Sequence, residues 1–206
     1  MIKYSAKEIK QLDGYFKHPN NLVDLFEDTV VKWGNRNAIG TKNTATKTLE
    51  WATYRDLALR VDNLRSALAA LKLKKGDFTG VIINNSVEWF VIEQAVQGLG
   101  AVYVPMYEKE LLKTWHYIVK DSAMKFLFVK DRELYDKVKH FKKEIKTLKE
   151  IFIIRGDGKN SLKALEEAGT KKKVKSYKPH WSEPAELIYT SGTTGDPKGV
   201  LLSHGN

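Results

Sequence analysis

The chain of 206 residues has no cysteine, which excludes disulfide staples and thiolate chemistry. That absence fits a reducing compartment such as the cytoplasm. No apolar run approaches the roughly 18 residues needed to cross a bilayer. The stretch from Met1 to Glu8 is mixed and charged, without the apolar core of a secretory signal. Arginine is scarce, at six of 35 basic residues. Base reading and stacking favour Arg and aromatic side chains, and no nucleic-acid motif appears. The formal charge of +10 therefore reads as a lysine-rich solvated surface, not a nucleic-acid interface. His116, His140 and His180 have neither metal-ligand spacing nor a partner cluster and read as structural or surface residues. No internal repeat or domain linker stands out.

What is present is an ordinary hydrophobic share, 42%, on a chain long enough to bury a core. Asn20 to Trp33 reads as a helix, with Gly34 able to end it in a left-handed turn. Ala38–Gly40 and Lys47–Trp51 suggest two short strands around a polar turn. Thr53 and Asp56 have the spacing of a capping box. Leu57, Val61, Leu64, Leu68 and Leu71 then form one apolar helical stripe, stopped by the run from Lys74 to Asp77. Strands are expected near Phe78–Ile83, Ala101–Val104, Phe126–Val129 and Ile151–Ile154. Helices are expected after Ser86 and over Glu110–Lys120, Leu134–Leu148 and Ser161–Ala168. Strands alternating with helices imply an α/β fold, a layered and mainly parallel sheet flanked by helices. Lysines from Lys137 to Lys149 line the polar side of the Leu134–Leu148 helix. They read as a solvated face, the alternative being contact with an anionic membrane. Lys171 to Lys175 reads as an exposed loop.

The stretch around which the rest is arranged is Leu187 to Asn206. Thr190 to Gly199 combines Thr190, Ser191, Thr193 and Thr194 with Gly192, Gly195 and Gly199, together with Asp196, Pro197 and Lys198. Such a loop suits phosphate: glycines let backbone amides converge on one anion, hydroxyls donate, and Lys198 supplies compact positive charge. It is not a Walker loop, which needs Gly before the Lys and Ser or Thr after it. Ala185–Tyr189 and Val200–Leu202 read as strands, so the loop joins strand to strand, and Ser203 could cap a following helix. A lone Gly/Ser/Thr turn would be the bland alternative.

From Tyr189 to Gly199 the order of residue types matches, without departure, the phosphate-binding signature Tyr-Thr-Ser-Gly-(Ser/Thr)-Thr-Gly-x-Pro-Lys-Gly. The chain thus resembles the adenylate-forming (AMP-binding) superfamily. Asp196 to Val200 and Ser203 to Asn206 look most like its long-chain fatty acid–CoA ligases. Asn84 to Trp89 and Gly98 to Pro105 also resemble the family's N-terminal region, in family order, so the likeness covers nearly the full chain. Met106 to Glu110 departs from it.

The resemblance implies a ligase that uses ATP, Mg²⁺ and CoA as cofactor and co-substrates, with a fatty acid as the other substrate. Thr190, Ser191, Gly192, Thr193, Thr194, Gly195 and Lys198 would hold the phosphates. Lys198 would act catalytically on the leaving pyrophosphate, and Thr190 would be a ligand for Mg²⁺. Tyr189 would pack beneath the loop, and His204 would cap or pack. Residues 1–206 would be the N-terminal portion of the domain, inactive alone, because the family's other site residues lie downstream of the motif. A non-catalytic nucleotide- or anion-binding module, or a ligase for another carboxylate, are the alternatives. The implied setting is cytoplasmic, with peripheral membrane contact possible, no nucleic acid and no obligate protein partner.

Overall fold

The computed structural model describes residues 20–43, 46–190 and 196–206. The chain begins with α1 (Leu22–Trp33), then a small antiparallel pair, β1 (Asn37–Lys42) and β2 (Leu49–Thr53), which stands apart from the main sheet. Helix α2 (Tyr54–Ala70) leads to β3 (Phe78–Ile82), α3 (Val87–Gln97), β4 (Val102–Met106), α4 (Leu112–Asp121) and β5 (Phe126–Val129). Two short helices, α5 (Arg132–Val138) and α6 (Phe141–Glu144), precede β6 (Glu150–Ile153) and α7 (Leu162–Gly169). The hairpin β7 (Pro184–Thr190) and β8 (Lys198–Ser203) ends the described chain. The main sheet runs β6-β5-β3-β4-β7-β8, parallel throughout except for β8 against β7. This is the layered α/β architecture the alternating pattern implied.

The strands β3, β4, β5 and β6 are almost entirely buried because both faces of this part of the sheet are covered. Phe126 and Phe128 point into a core with α1, α2, α3 and α7, while Leu127 and Val129 point into a second core with α4, α5 and α6. The α2 stripe is buried as expected, with Leu57, Val61, Leu64 and Leu68 at most 2% exposed. Its helix starts on a complete capping box: Asp56 N donates to Thr53 Oγ1 at 3.2 Å and Thr53 N to Asp56 Oδ2 at 2.9 Å. Against α7 the backbones approach so closely that a Cβ at Gly169 would lie 1.8 Å from the Asn63 carbonyl oxygen.

Three local expectations are corrected. The α2 stripe stops before Leu71, which is half-exposed, because the helix ends at Ala70 and Lys72 turns with φ +66°. Gly34 is right-handed (φ −47°), not left-handed. Its lack of a side chain matters because a Cβ would meet the Val30 carbonyl at 2.8 Å. The single helix expected over Leu134–Leu148 is two helices, with Ile145 extended. Past Ile145 the chain has to reach the edge of the sheet, where Lys149 N donates to the Lys125 carbonyl at 2.8 Å as β6 begins, and Leu134, Val138, Phe141, Ile145 and Leu148 all stay buried. Ser203, read as a possible helix cap, is followed by three described residues, too few to form a helix. It closes β8, and its amide and hydroxyl both donate to Asn206 Oδ1.

The residues from Lys171 to Trp181 cross α2 and α3 as an extended strap. Val174 N donates to Ser66 Oγ and Arg65 Nε to the Val174 carbonyl, each at 3.0 Å. Tyr177 N donates to the Gly98 carbonyl at 2.8 Å. The strap delivers the chain to β7.

Candidate functional site

Because β7 runs parallel to β4, it carries Thr190 to the same sheet edge at which β3 and β4 end. In open α/β sheets the crevice outside the carboxyl ends of the strands is where ligands bind. The chain turns there and returns as β8. Thr190 lies directly opposite Lys198, and Tyr189 opposite Gly199. Opposed residues of an antiparallel pair project on the same face, so the Thr190 hydroxyl and the Lys198 ammonium share one. Both are exposed, and Lys198 makes no ion pair with any described residue. Ser191, Gly192, Thr193, Thr194 and Gly195 lie outside the described residues. Among the sequence candidates, the structure thus brings together Thr190 and Lys198.

Tyr189 anchors the base of this hairpin. Its hydroxyl donates to Asp121 Oδ2 at 2.6 Å, at the end of α4, and its ring meets Tyr117 edge-on at 6.4 Å. Burial, and then the bond to Asp121, push the phenol well above its ordinary value. Gly199 leaves the space this needs, since a Cβ there would come 3.0 Å from Leu187 Cδ1 and 3.3 Å from Tyr189 Cζ. Beside the turn lies a hollow of about 330 Å³, bounded by Tyr107, Lys113, Tyr117, Tyr189, Asp196 and Pro197.

Beneath the same strand lies a buried polar cluster that sequence reasoning missed. Glu93 on α3 is 8% exposed and hydrogen-bonded to Glu186 on β7. Gln97 Nε2 donates to Glu93 Oε1 at 3.4 Å, and Tyr103, which pairs with Glu186 across the ladder, is fully buried. Burial first, and then the bond to Glu186, push the Glu93 carboxyl up to about 9, so it holds a proton at neutral pH. The one available signal was Glu93 and Gln97 at helical spacing within an otherwise apolar stretch. His204, just past the hairpin, is 5% exposed, and neither ring nitrogen has a hydrogen-bond partner among the described residues. Burial pushes it down to about 4, so it is neutral and packs. His116 instead pairs with Glu144 at 2.9 Å, on the surface.

Comparison with known proteins identifies the family. The profile of the family described as AMP-binding enzyme matches residues 26–206. The long-chain-fatty-acid–CoA ligase FadD15 of Mycobacterium bovis is 32% identical over 144 residues, which is 68% of this chain and 24% of that protein. Long-chain-fatty-acid–CoA ligase 1 of Cavia porcellus is 27% identical over 215 residues, 93% of this chain and 30% of its own length. The chain thus spans between a quarter and a third of these relatives. Among solved structures, the anthranilate CoA ligase AuaEII in complex with anthranoyl-AMP superposes with a TM-score of 0.78. At 23% identity it covers 90% of this chain and 35% of that one, a likeness of fold. With the family profile spanning most of its length, the chain belongs to the AMP-binding enzymes.

Proposed function

We propose that the polypeptide carrying this chain is a long-chain fatty acid–CoA ligase. In this reading residues 1–206 form the N-terminal part of its adenylate-forming domain. A fatty carboxylate oxygen attacks the α-phosphorus of ATP, the bond to the bridging oxygen breaks, and pyrophosphate leaves. The thiol of CoA then attacks the acyl carbon, releasing AMP and a proton. The single observation that carries this reading is the hairpin placing Thr190 opposite an exposed Lys198 at the carboxyl edge of the sheet.

Positioning and charge neutralisation do most of the work in phosphoryl chemistry. Lys198 offsets charge on the departing pyrophosphate, and the amides and hydroxyls from Ser191 to Gly195 hold the β- and γ-phosphates. Among the described residues no cluster of three or more His, Asp or Glu could cage a metal. The exposed Thr190 hydroxyl would offer Mg²⁺ one oxygen ligand, and the ion would supply charge to offset that of the phosphates. No described helix is long and apolar enough to cross a membrane. The setting proposed is the cytoplasm, with peripheral contact with an anionic membrane.

The test is pyrophosphate release by the full polypeptide with ATP, Mg²⁺ and a carboxylate panel of palmitate, anthranilate, acetate and an amino acid. Palmitate is expected to be preferred. Preference for anthranilate, the acid of the AuaEII ligase, or for any other member of the panel would replace the substrate class. ATP binding without release on any acid would leave a nucleotide-binding module.

A further inference from the structure

Membrane contact needs two things from a surface: charge to draw it to anionic lipid, and apolar side chains to enter the interface. The lysine-rich face of α5 and α6 has only the first. Its aliphatic residues and Phe141 are buried, Tyr135 is half-buried against the core, and Lys137, Lys139 and Lys142 are paired with Glu133, Asp136 and Glu150. The end of α1 and the β1–β2 hairpin have both.

In the hairpin Gly40 opposes Trp51 and Lys42 opposes Leu49, so these four share one face. Ile39 and Ala52 take the other face and pack on the α1–α2–α3 core. That inner contact holds the hairpin, while among the described residues none covers its outer face. Trp51 is 51% exposed and Leu49 60%, with the Trp51 ring lying over Gly40, where a Cβ would come within 3.1 Å of it. At the hairpin base Val31 is 88% and Trp33 37% exposed. Lys32 Nζ and Arg36 Cζ sit over the Trp33 ring at 5.0 and 4.1 Å. Lys32, Arg36, Lys42 and Lys47 are exposed cations, and Glu50, already bonded to Asn43, is the one acid between Val31 and Trp51.

We propose that this face, the end of α1 with the outer side of the β1–β2 hairpin, docks peripherally on an anionic lipid bilayer. Trp33, Trp51 and Leu49 enter the headgroup region while the four cations meet the lipid phosphates. Tryptophan suits that boundary because its ring is apolar and its N–H remains near water. The surface rests on the membrane contact proposed above and is independent of which acid is activated.

The test uses the full chain and vesicles of phosphatidylcholine, with and without roughly one part in three of phosphatidylserine, which supplies the negative surface potential. Co-sedimentation is expected with the anionic vesicles and little with the neutral ones, weakening as salt is added. Lipids brominated along the acyl chain should quench the exposed tryptophans. Leu49→Ala/Trp51→Ala should lower the partition about tenfold or more, the scale expected when buried apolar area sets interfacial binding. Lys42→Glu/Lys47→Glu should abolish the preference for phosphatidylserine. Both pairs are exposed, and unchanged circular dichroism confirms that each variant folds. Lys142→Glu/Lys143→Glu on α6 should change nothing. Unchanged binding by the Leu49/Trp51 variant, loss through the α6 variant, or no binding by wild type overturns the proposal. Because no turnover is measured, such a failure leaves the ligase reading standing.

Discussion

Replacing Glu93 with Gln should flatten the dependence of stability on pH above neutrality. In the folded chain the Glu93 carboxyl is pushed up from 4.5 to about 9 by burial and by Glu186. The folded state therefore binds a proton that the unfolded state releases across that whole interval. Stability is fully present below 4.5 and is lost as pH rises toward 9. A single proton gives a slope of roughly 1.4 kcal/mol per pH unit, hence about 2 kcal/mol between pH 7 and 8.5. That window avoids His204, which titrates between about 4 and 6.5 with the opposite sign. Glu93 is too buried for solvent to screen the effect appreciably, and the other groups facing it are Glu186, Tyr103 and Gln97. Gln is isosteric with the protonated acid and can still donate to Glu186, so the variant should fold. For a chain of this size, 2 kcal/mol corresponds to about 4–8 °C in thermal midpoint. Thermal unfolding followed by circular dichroism at several pH values in this window should show that fall in wild type and its near absence in Glu93→Gln. Equal slopes in the two proteins would refute the account of a proton held on Glu93.

Lys198→Ala in the full enzyme should slow pyrophosphate release by the equivalent of about 2.7–4 kcal/mol, and Lys198→Arg should rescue poorly because a planar fork does not replace a compact ammonium. An unchanged rate would remove Lys198 from the chemistry. His204→Phe should flatten the acid limb: burial holds the imidazole neutral, so wild type loses stability as pH falls from about 6.5 toward 4, by up to roughly 1.4 kcal/mol per unit. Identical acid denaturation of the two would count against it. Gly169→Ala should cost about 1–3 kcal/mol or more in a urea titration, since its Cβ would lie 1.8 Å from the Asn63 backbone oxygen and α2 and α7 must separate. A neutral result would mean the helices part at no cost.

Local order was legible wherever the chain's own covalent geometry sets it. The Thr53–Asp56 box, the α2 stripe from Leu57 to Leu68 and the strand-loop-strand setting of Thr190 and Lys198 depend on residues within a few positions of one another. The signature from Tyr189 to Gly199 led to the family because residue type alone carries it. Tertiary structure decided what spacing cannot encode. Pairing of Lys149 with Lys125 at the start of β6 takes the chain out of the helix expected from Leu134 to Leu148, although its apolar rhythm runs on unbroken. Only the placing of β7 beside β4 brings Glu186 against Glu93, 93 residues earlier in the chain, and so helps turn Glu93 into an acid that keeps its proton. Trp51 ends the strand read from the sequence, and it is exposed because Ile39 and Ala52 take the inner side of the hairpin. Burial is a property of where distant elements meet, and no residue's near neighbours determine it.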